Sequence, residues 1–280
     1  MGTSAASGNL DKVFLGAQCD VGACVATHLF VISPNNSGST FVTRALETCR
    51  EVWRLPREGQ HMLGYEGPNL GADKKELIWA AESEYVQKIR SRDLYNWDKT
   101  RRAWYFQARA ARPDAPVFLT KAPPFLILVD QLREAFANAR FVFLVRNPYA
   151  VVEAITRYKA RRFDTREAAL TAAAAHILRC LTMQRENIAS HADVGTFLSY
   201  EDLCADPAAA AAQVQALVPE LTNLEFDQRL AVKGRYHERL RNMNAQQIER
   251  LTREDIEIIN RKFAPLEALL RSFGYGILSR

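Results

Sequence analysis

The sequence predicts an α/β fold with three layers, in which a mostly parallel central sheet carries helices on both of its faces. Short, unbroken apolar runs recur along the 280 residues, as expected of strands that are buried on both faces of a parallel sheet. Longer stretches with apolar residues at helical spacing separate these runs. Because strand and helix alternate at these lengths, right-handed crossovers between parallel strands are expected.

The apolar runs and the helical patterns define the elements in chain order. Strands are predicted at 29–32, 52–55, 117–120, 141–145 and 196–199. Helices are predicted over 41–49, 76–92, 98–111, 125–136, 148–162, 166–190, 207–217, 244–263 and 265–273. With no internal repeat or low-complexity linker, residues 1–280 are expected to form one domain, in which 1–27 adds an edge hairpin or is partly flexible.

A cluster of aromatic residues follows the second predicted strand. These side chains either fill the core or line a binding cleft, and the core is favoured because aromatic side chains are mostly buried. They are Trp79, Tyr85, Tyr95, Trp97, Trp104, Tyr105 and Phe106.

The first strand leads into a turn of small polar residues at 34–40, which is followed by a helix. This order directs backbone N–H groups and the positive end of the helix dipole at an anion. Hydroxyl groups on Ser37, Ser39 and Thr40 add further donors. Ser39 stands where a nucleoside triphosphate loop needs lysine, which argues against a kinase. Taken alone, the turn is equally compatible with an ordinary strand-to-helix connection.

Polar and charged residues follow the other predicted strands. Lys121 ends the third strand, Arg146 ends the fourth, and Ser199 and Tyr200 follow the fifth. Because ligands bind outside the carboxyl ends of strands in open α/β sheets, these groups are expected to converge with the turn at 34–40. Two cations beside an anion-binding turn favour a polyanionic ligand.

Composition narrows the functional classes. A formal net charge of +5, without a basic tail or a nucleic-acid-binding signature, suits an anionic ligand and excludes nucleic acid as the expected partner. The five cysteines are scattered and form no Cys-x-x-Cys pair, so neither a disulfide framework nor a metal site is expected. No apolar run reaches about 18 residues and no signal peptide is evident, so we expect a cytoplasmic protein without a transmembrane segment. The sequence leaves open whether the chain forms a homodimer.

Four motifs, in order between residues 28 and 207, resemble those of the PAPS-dependent sulfotransferase family. PAPS is 3′-phosphoadenosine 5′-phosphosulfate, and PAP is the product without the sulfuryl group. The turn at 34–41 resembles the family's P-loop-like 5′-phosphosulfate loop, and 141–148 resembles its 3′-phosphate motif. Thr120-Lys121 resembles a lysine-bearing strand end, and 200–203 with Asp206-Pro207 resembles a later motif. The resemblance implies transfer of a sulfuryl group from PAPS to a hydroxyl or amine of a small-molecule, carbohydrate or lipid acceptor, without a metal.

The resemblance also implies roles for individual residues. Lys121 would stabilise the leaving group, and Glu58 is the expected base, with His61 and Glu66 in the same loop as alternatives. Lys233-Gly234-Arg235 resembles the family's basic turn over the 3′-phosphate, and a plain surface turn is the alternative there. The full set expected to bind the cosubstrate is Asn36, Ser37, Gly38, Ser39, Thr40, Phe41, Arg146, Tyr200, Lys233, Gly234 and Arg235.

Two positions depart from the family's pattern. Asn36 stands where the family usually has lysine or arginine, and Ala154 stands where it commonly has serine. Another cation (Lys121, Arg44 or Arg57) is expected to compensate at the first position, and Thr156 or Arg157 at the second. The alternative is a catalytically weakened or inactive nucleotide- or anion-binding protein on this fold.

Overall fold

A five-stranded parallel sheet forms the centre of the computed structural model, which describes residues 25–68, 78–109, 115–159, 162–232 and 236–279. All four pairings between its neighbouring strands are parallel. The spatial order is β2-β3-β1-β4-β5. The strands are β1 (Thr27–Ile32), β2 (Val52–Arg54), β3 (Val117–Lys121), β4 (Ala139–Val145) and β5 (Gly195–Ser199). The predicted parallel sheet is therefore confirmed, strand by strand.

Helices follow the strands in the predicted alternation. The α-helices are α1 (Ser39–Thr48), α2 (Ser83–Ile89), α3 (Trp97–Arg109), α4 (Val129–Ala135), α5 (Pro148–Lys159), α6 (Arg166–Ser190), α7 (Tyr200–Ala205), α8 (Pro207–Leu217), α9 (Asn244–Ile248), α10 (Arg253–Phe263) and α11 (Glu267–Arg271). Short 3-10 helices occupy Gly59–His61, Arg92–Leu94, Pro123–Ile127 and Ala264–Leu266. A small antiparallel hairpin pairs β6 (Leu230–Val232) with β7 (Tyr236–Glu238).

Four predicted helices differ in extent from the observed ones. The helix predicted over 265–273 begins as the 3-10 turn at Ala264–Leu266, and α11 covers Glu267–Arg271. The helix predicted over 125–136 starts as the proline-led 3-10 turn, and α4 begins only at Val129. The helix predicted over 244–263 is divided, because Thr252 and Asp255 form a capping box that starts α10. Of the helix predicted over 76–92, the described part is helical from Ser83. The prediction for 1–27 falls mostly outside the described residues.

Both faces of the sheet are covered, which explains why its strands read as unbroken apolar runs. Phe30, Phe118 and Phe141 point to one face, where they pack with residues of α3, α4 and α6. Leu29 and Val142 point to the other face, against residues of α1 and α8. The alternation along each strand thus places apolar groups on both sides, as a three-layer α/β fold requires.

The aromatic cluster is mainly part of the core, as the sequence favoured. Trp79 and Trp104 are fully buried, and Tyr105 is nearly so. Trp97 is partly buried against them, and Phe106 is the member that is exposed.

None of the helices in the described part of the chain combines the length and the hydrophobicity that a membrane span requires.

His176 of α6 is a fully buried, uncharged ring, and this produces a testable pH dependence. Its Nδ1 accepts the Ala80 N–H at 3.1 Å, and burial lowers its pKa to about 3, with Arg179 adding to the shift. Below pH 6.5 the unfolded chain therefore binds a proton that the folded chain does not, and stability falls as the pH falls.

We expect His176→Asn, which keeps an acceptor near Nδ1, to remove this dependence. Urea unfolding between pH 6.5 and 4.5 should show a free energy of unfolding that falls by about 1.4 kcal/mol per pH unit more steeply in the wild type than in the variant. If the free energy of unfolding changed equally with pH in the wild type and in the variant, the assignment of a neutral His176 would be contradicted.

Candidate active site

The carboxyl ends of the central strands meet around the loop that joins β1 to α1. Lys121 ends β3 on one side of β1, and Arg146 follows β4 on the other side. Each makes a direct contact with the loop, Lys121 through Thr40 and Arg146 through Asn36. The structure therefore brings together the three groups that the sequence expected to converge.

The loop has a backbone shape suited to an anion. Asn36 and Gly38 have φ angles of 60° and 94°, in the left-handed region that asparagine and glycine adopt most readily. Gly38 precedes α1, and no side chain caps the N–H groups of the first turn. The Phe41 N–H donates to the Gly38 carbonyl oxygen at 2.9 Å. The N–H groups of Ser39 and Thr40 lie in the first turn of a ten-residue helix, at its positive end, which favours an anion there.

Two donors in this loop have no partner among the described residues. The Ser37 hydroxyl belongs to a side chain that is 1% exposed, and the Asn36 Nδ2 atom is also buried. Leaving a buried donor without an acceptor costs about 1–3 kcal/mol. An anion bound in the loop would satisfy both donors, so the residues present fit a phosphate or sulfate group. Phe41, in contrast, is buried in the core beneath the loop.

Lys121 connects the loop to a nearby carboxylate. Its Nζ donates to Thr40 Oγ1 at 3.1 Å and to Glu58 Oε1 at 3.0 Å, and its side chain is only 12% exposed. Glu58 lies just before the 3-10 helix that begins at Gly59, where the backbone packs against the ring of Phe125. The packing positions the backbone that follows Glu58, and the ion pair with Lys121 places the carboxylate beside the anion loop.

The other two candidate bases lie differently. His61 Nε2 is 3.9 Å from Glu58 Oε2, while Lys121 contacts the other oxygen of that carboxylate, Oε1. Glu66 is exposed, and its backbone N–H donates to Thr100 Oγ1, which anchors this part of the loop to α3. Among the described contacts, Glu58 is thus the candidate that reaches Lys121.

Arg146 is buried against three neutral acceptors. Its Nε donates to Asn244 Oδ1 at 2.8 Å, and its two terminal nitrogens donate to Gln247 Oε1 and to the Asn36 carbonyl oxygen. The guanidinium carbon lies 4.2 Å from the centre of the Tyr200 ring, a cation–π contact. Burial lowers the pKa of Arg146, and the nearby Tyr200 and Glu201 oppose that shift. Burial also raises the pKa of Tyr200 to about 12.

Sequence reasoning missed Asn244 and Gln247 in α9. They contact Arg146 across 98 and 101 residues of chain, and no motif surrounds them. Glu201 lies in the motif at 200–203, which assigns it no role of its own, yet its carboxylate accepts from Asn244 Nδ2, the Asn147 N–H and the Tyr275 hydroxyl. Residues of the last quarter of the chain therefore contribute to the side of the site around Arg146.

The residues expected to compensate for Asn36 and Ala154 have other contacts. Arg44 pairs with Glu47, and Arg157 pairs with Glu153. Of the three cations expected to compensate for Asn36, namely Lys121, Arg44 and Arg57, the described contacts join Lys121 to the loop, through Thr40. The Thr156 hydroxyl is buried and has no hydrogen-bond partner among the described residues.

Two further expectations concern the basic turn and a metal. Lys233, Gly234 and Arg235 lie outside the described residues. Within the described ranges, no group of three or more His, Cys, Asp or Glu side chains is arranged to hold a metal ion.

Comparison with known proteins assigns the chain to a family. A model described as the sulfotransferase family matches residues 28–220. The sulfotransferase domain from the curacin biosynthetic pathway is 16% identical, with a TM-score of 0.52 over 85% of this chain and 96% of that chain. A sulfotransferase from Mycobacterium tuberculosis H37Rv is 15% identical, with a TM-score of 0.56 over 91% of this chain and 81% of that chain. None of the curated proteins matches the sequence. At these identities the solved structures support the fold.

The close approach of Gly38 to Tyr200 generates a prediction about stability. A Cβ atom at Gly38 would lie 2.8 Å from the Tyr200 ring, and φ there is +94°. Gly274 is a matched control, because its φ is +81° and nothing lies within 4 Å of its Cβ position. We expect Gly274→Ala to cost about 1 kcal/mol from backbone strain and Gly38→Ala to cost about 1–2 kcal/mol more. Urea unfolding measures both, and equal costs would show that the Tyr200 ring does not hold this loop.

Proposed function

The chain belongs to the sulfotransferase family, and from that premise we propose that it transfers a sulfuryl group from PAPS to a hydroxyl or an amine of an acceptor. One observation carries the proposal. Lys121 and Arg146 approach one loop from opposite sides, and that loop has buried donors without a partner in the part of the chain that the structure describes. A nucleotide with phosphate groups at both ends of its ribose matches such an arrangement of two cations around an anion loop.

We assign the cosubstrate contacts by position along the sheet edge. The 5′-phosphosulfate would bind to the N–H groups and hydroxyls of the loop at 36–40, with Lys121 beside it. The 3′-phosphate would bind on the side of Arg146, where Tyr200 stacks on the guanidinium. Lys233, Gly234 and Arg235 are proposed to cover that phosphate.

The proposed reaction is an in-line displacement at sulfur. The acceptor oxygen or nitrogen forms a bond to sulfur while Glu58 accepts its proton. The bond from sulfur to the 5′-phosphate oxygen breaks, and that oxygen keeps the electron pair and leaves as part of PAP. Lys121 and the N–H groups of α1 stabilise the charge that develops there. The contact of Glu58 with Lys121 supports Glu58 as the base, and His61 and Glu66 remain the alternatives.

The acceptor in this proposal is a small molecule, a carbohydrate or a lipid that carries a free hydroxyl or amine. We further propose that the chain works as one domain in the cytoplasm, without a metal, and a homodimer is compatible with it. These proposals rest on the composition and motif spacing of the sequence.

A second function has support from the two departures from the family's pattern. Asn36 brings no charge to the loop, and Ala154 brings no hydroxyl. An anion- or nucleotide-binding protein with weak or no turnover would bind PAP but transfer no label from PAPS. Assays with labelled PAPS across phenols, sugars, lipids and amines therefore discriminate between the two functions.

Lys121→Met tests the proposal most simply, because it removes one of the two cations at the loop. We expect the Kd for PAP to rise by about tenfold to a hundredfold, since a hydrogen bond to a charged group is lost. Arg44→Met is the control, because Arg44 carries the same charge nearby but pairs with Glu47. Titration calorimetry with PAP measures both variants. Absence of PAP binding by the wild type would overturn the proposed function.

Glu58→Gln should have opposite effects on binding and on rate. Loss of the carboxylate 3.0 Å from Lys121 removes an anion that competes with phosphate for the ammonium, so we expect PAP to bind several-fold more tightly. Loss of the base lowers turnover by about 10²–10⁴-fold. Glu66→Gln removes the same charge from the same loop without this contact, and we expect it to change neither quantity appreciably. A rate loss in Glu66→Gln, with Glu58→Gln active, would reassign the base.

A further inference from the structure

We propose that Glu201 and Asn244 are positioning residues that aim Arg146 at the anion loop and at the nucleotide. Neither residue contacts the loop at 36–40 in the described contacts, and both would act through the guanidinium. The inference rests on the proposed function, because its effect is read as nucleotide affinity. It concerns residues outside the set that the sequence motifs assigned to binding or catalysis.

Glu201 is the fixed end of the arrangement. Its Oε1 accepts from the Asn147 N–H at 2.9 Å and from Asn244 Nδ2, and its Oε2 accepts from the Tyr275 hydroxyl at 2.8 Å. These donors come from the start of α5, from α9 and from the segment after α11. Three separate parts of the chain therefore hold this carboxylate in one orientation.

The carboxylate determines which way the Asn244 amide faces. A carboxylate only accepts hydrogen bonds, so the NH₂ group of Asn244 must be the group that faces Glu201. The amide oxygen is then turned toward Arg146, where it accepts from Nε at 2.8 Å. Arg146 is itself only a donor, so it favours the same orientation of the amide. Without Glu201, the amide loses the acceptor of its NH₂ group and is held at its oxygen alone.

The orientation of Nε sets the direction of the whole guanidinium. The group is planar and its five N–H donors form a rigid fork, so fixing one edge fixes the others. One terminal nitrogen then donates to the Asn36 carbonyl oxygen in the loop, at 3.1 Å, and the other donates to Gln247. Among the described residues, three of the five donors are used in this way. The terminal nitrogens keep two N–H groups without a described partner, and in our proposal these groups bind the nucleotide.

The arrangement also offsets the cost of burying the cation. Arg146 is 7% exposed and its three acceptors are neutral, so the carboxylate of Glu201, one residue further away, supplies the opposite charge. A direct ion pair would compete with a phosphate for the guanidinium. Because the neutral amide of Asn244 separates the two charges, the positive charge of Arg146 can still attract an anionic ligand.

Titration calorimetry with PAP tests the inference on four variants. Glu201→Leu, which is similar in size but cannot accept, should raise the Kd about tenfold, and so should Asn244→Ala. Because both act through Arg146, the double variant should bind no more weakly than either single variant. Glu201→Gln retains an acceptor for Asn244 and should keep most of the affinity.

Tyr275→Phe is the control for a purely structural role. It removes the hydrogen bond to the other oxygen of Glu201 and leaves Asn244 in place. We expect it to lower the free energy of unfolding while leaving the Kd for PAP within about twofold. A Kd that rises equally in Tyr275→Phe and Glu201→Leu would overturn the inference.

An NMR readout without nucleotide separates this inference from the proposed function. The Nε–H of Arg146 should exchange slowly with solvent in the wild type and in Tyr275→Phe, and rapidly in Glu201→Leu and Asn244→Ala. The positioning role would be contradicted, even when PAP binds, if the Arg146 Nε–H exchanged as slowly in Glu201→Leu and Asn244→Ala as in the wild type. It would also be contradicted if the Kd of the double variant rose by the product of the two single increases. Slow exchange that depends on Glu201, together with no PAP binding by the wild type, would sustain the positioning role and reject the proposed function.

Discussion

The concentration of positive charge around the β1–α1 loop is the constraint on which the rest of the site depends. A helix N-terminus, Lys121 and Arg146 converge there because three neighbouring strands of one parallel sheet end at the same edge. Such groups repel one another unless acceptors or anions lie between them. The surrounding chain supplies those acceptors at each cation, and the loop itself keeps buried donors without described partners.

The positive charges of Lys121 and Arg146 have different kinds of partner, and we propose different roles for the two residues. Lys121 pairs with a carboxylate on a loop that is partly exposed, a partner that a phosphate can replace. Arg146 is held by amides and a backbone carbonyl inside the fold, partners that leave its charge available. We propose that Lys121 and Glu58 act in the transfer of the sulfuryl group and that Arg146 binds the nucleotide.

Sequence reasoning succeeded where local rules decide the structure. Apolar runs located the five strands, and parallel strand ends brought Lys121 and Arg146 to one loop, since both follow from periodicity and topology alone. The break before α10 was missed because the capping box at Thr252 interrupts an otherwise helical pattern. Asn244 could not be found, because its role depends on how a distant segment folds back onto Arg146, which no local spacing encodes.

A crystal structure of the complex with PAP tests the central claim most directly. We predict the 5′-phosphate within about 3 Å of Lys121 Nζ and of the loop N–H groups, and the 3′-phosphate at the same distance from a terminal nitrogen of Arg146. The Glu58 carboxylate should then have moved from Lys121 toward the acceptor side. A nucleotide bound elsewhere, or one whose phosphates touch neither cation, would contradict the account.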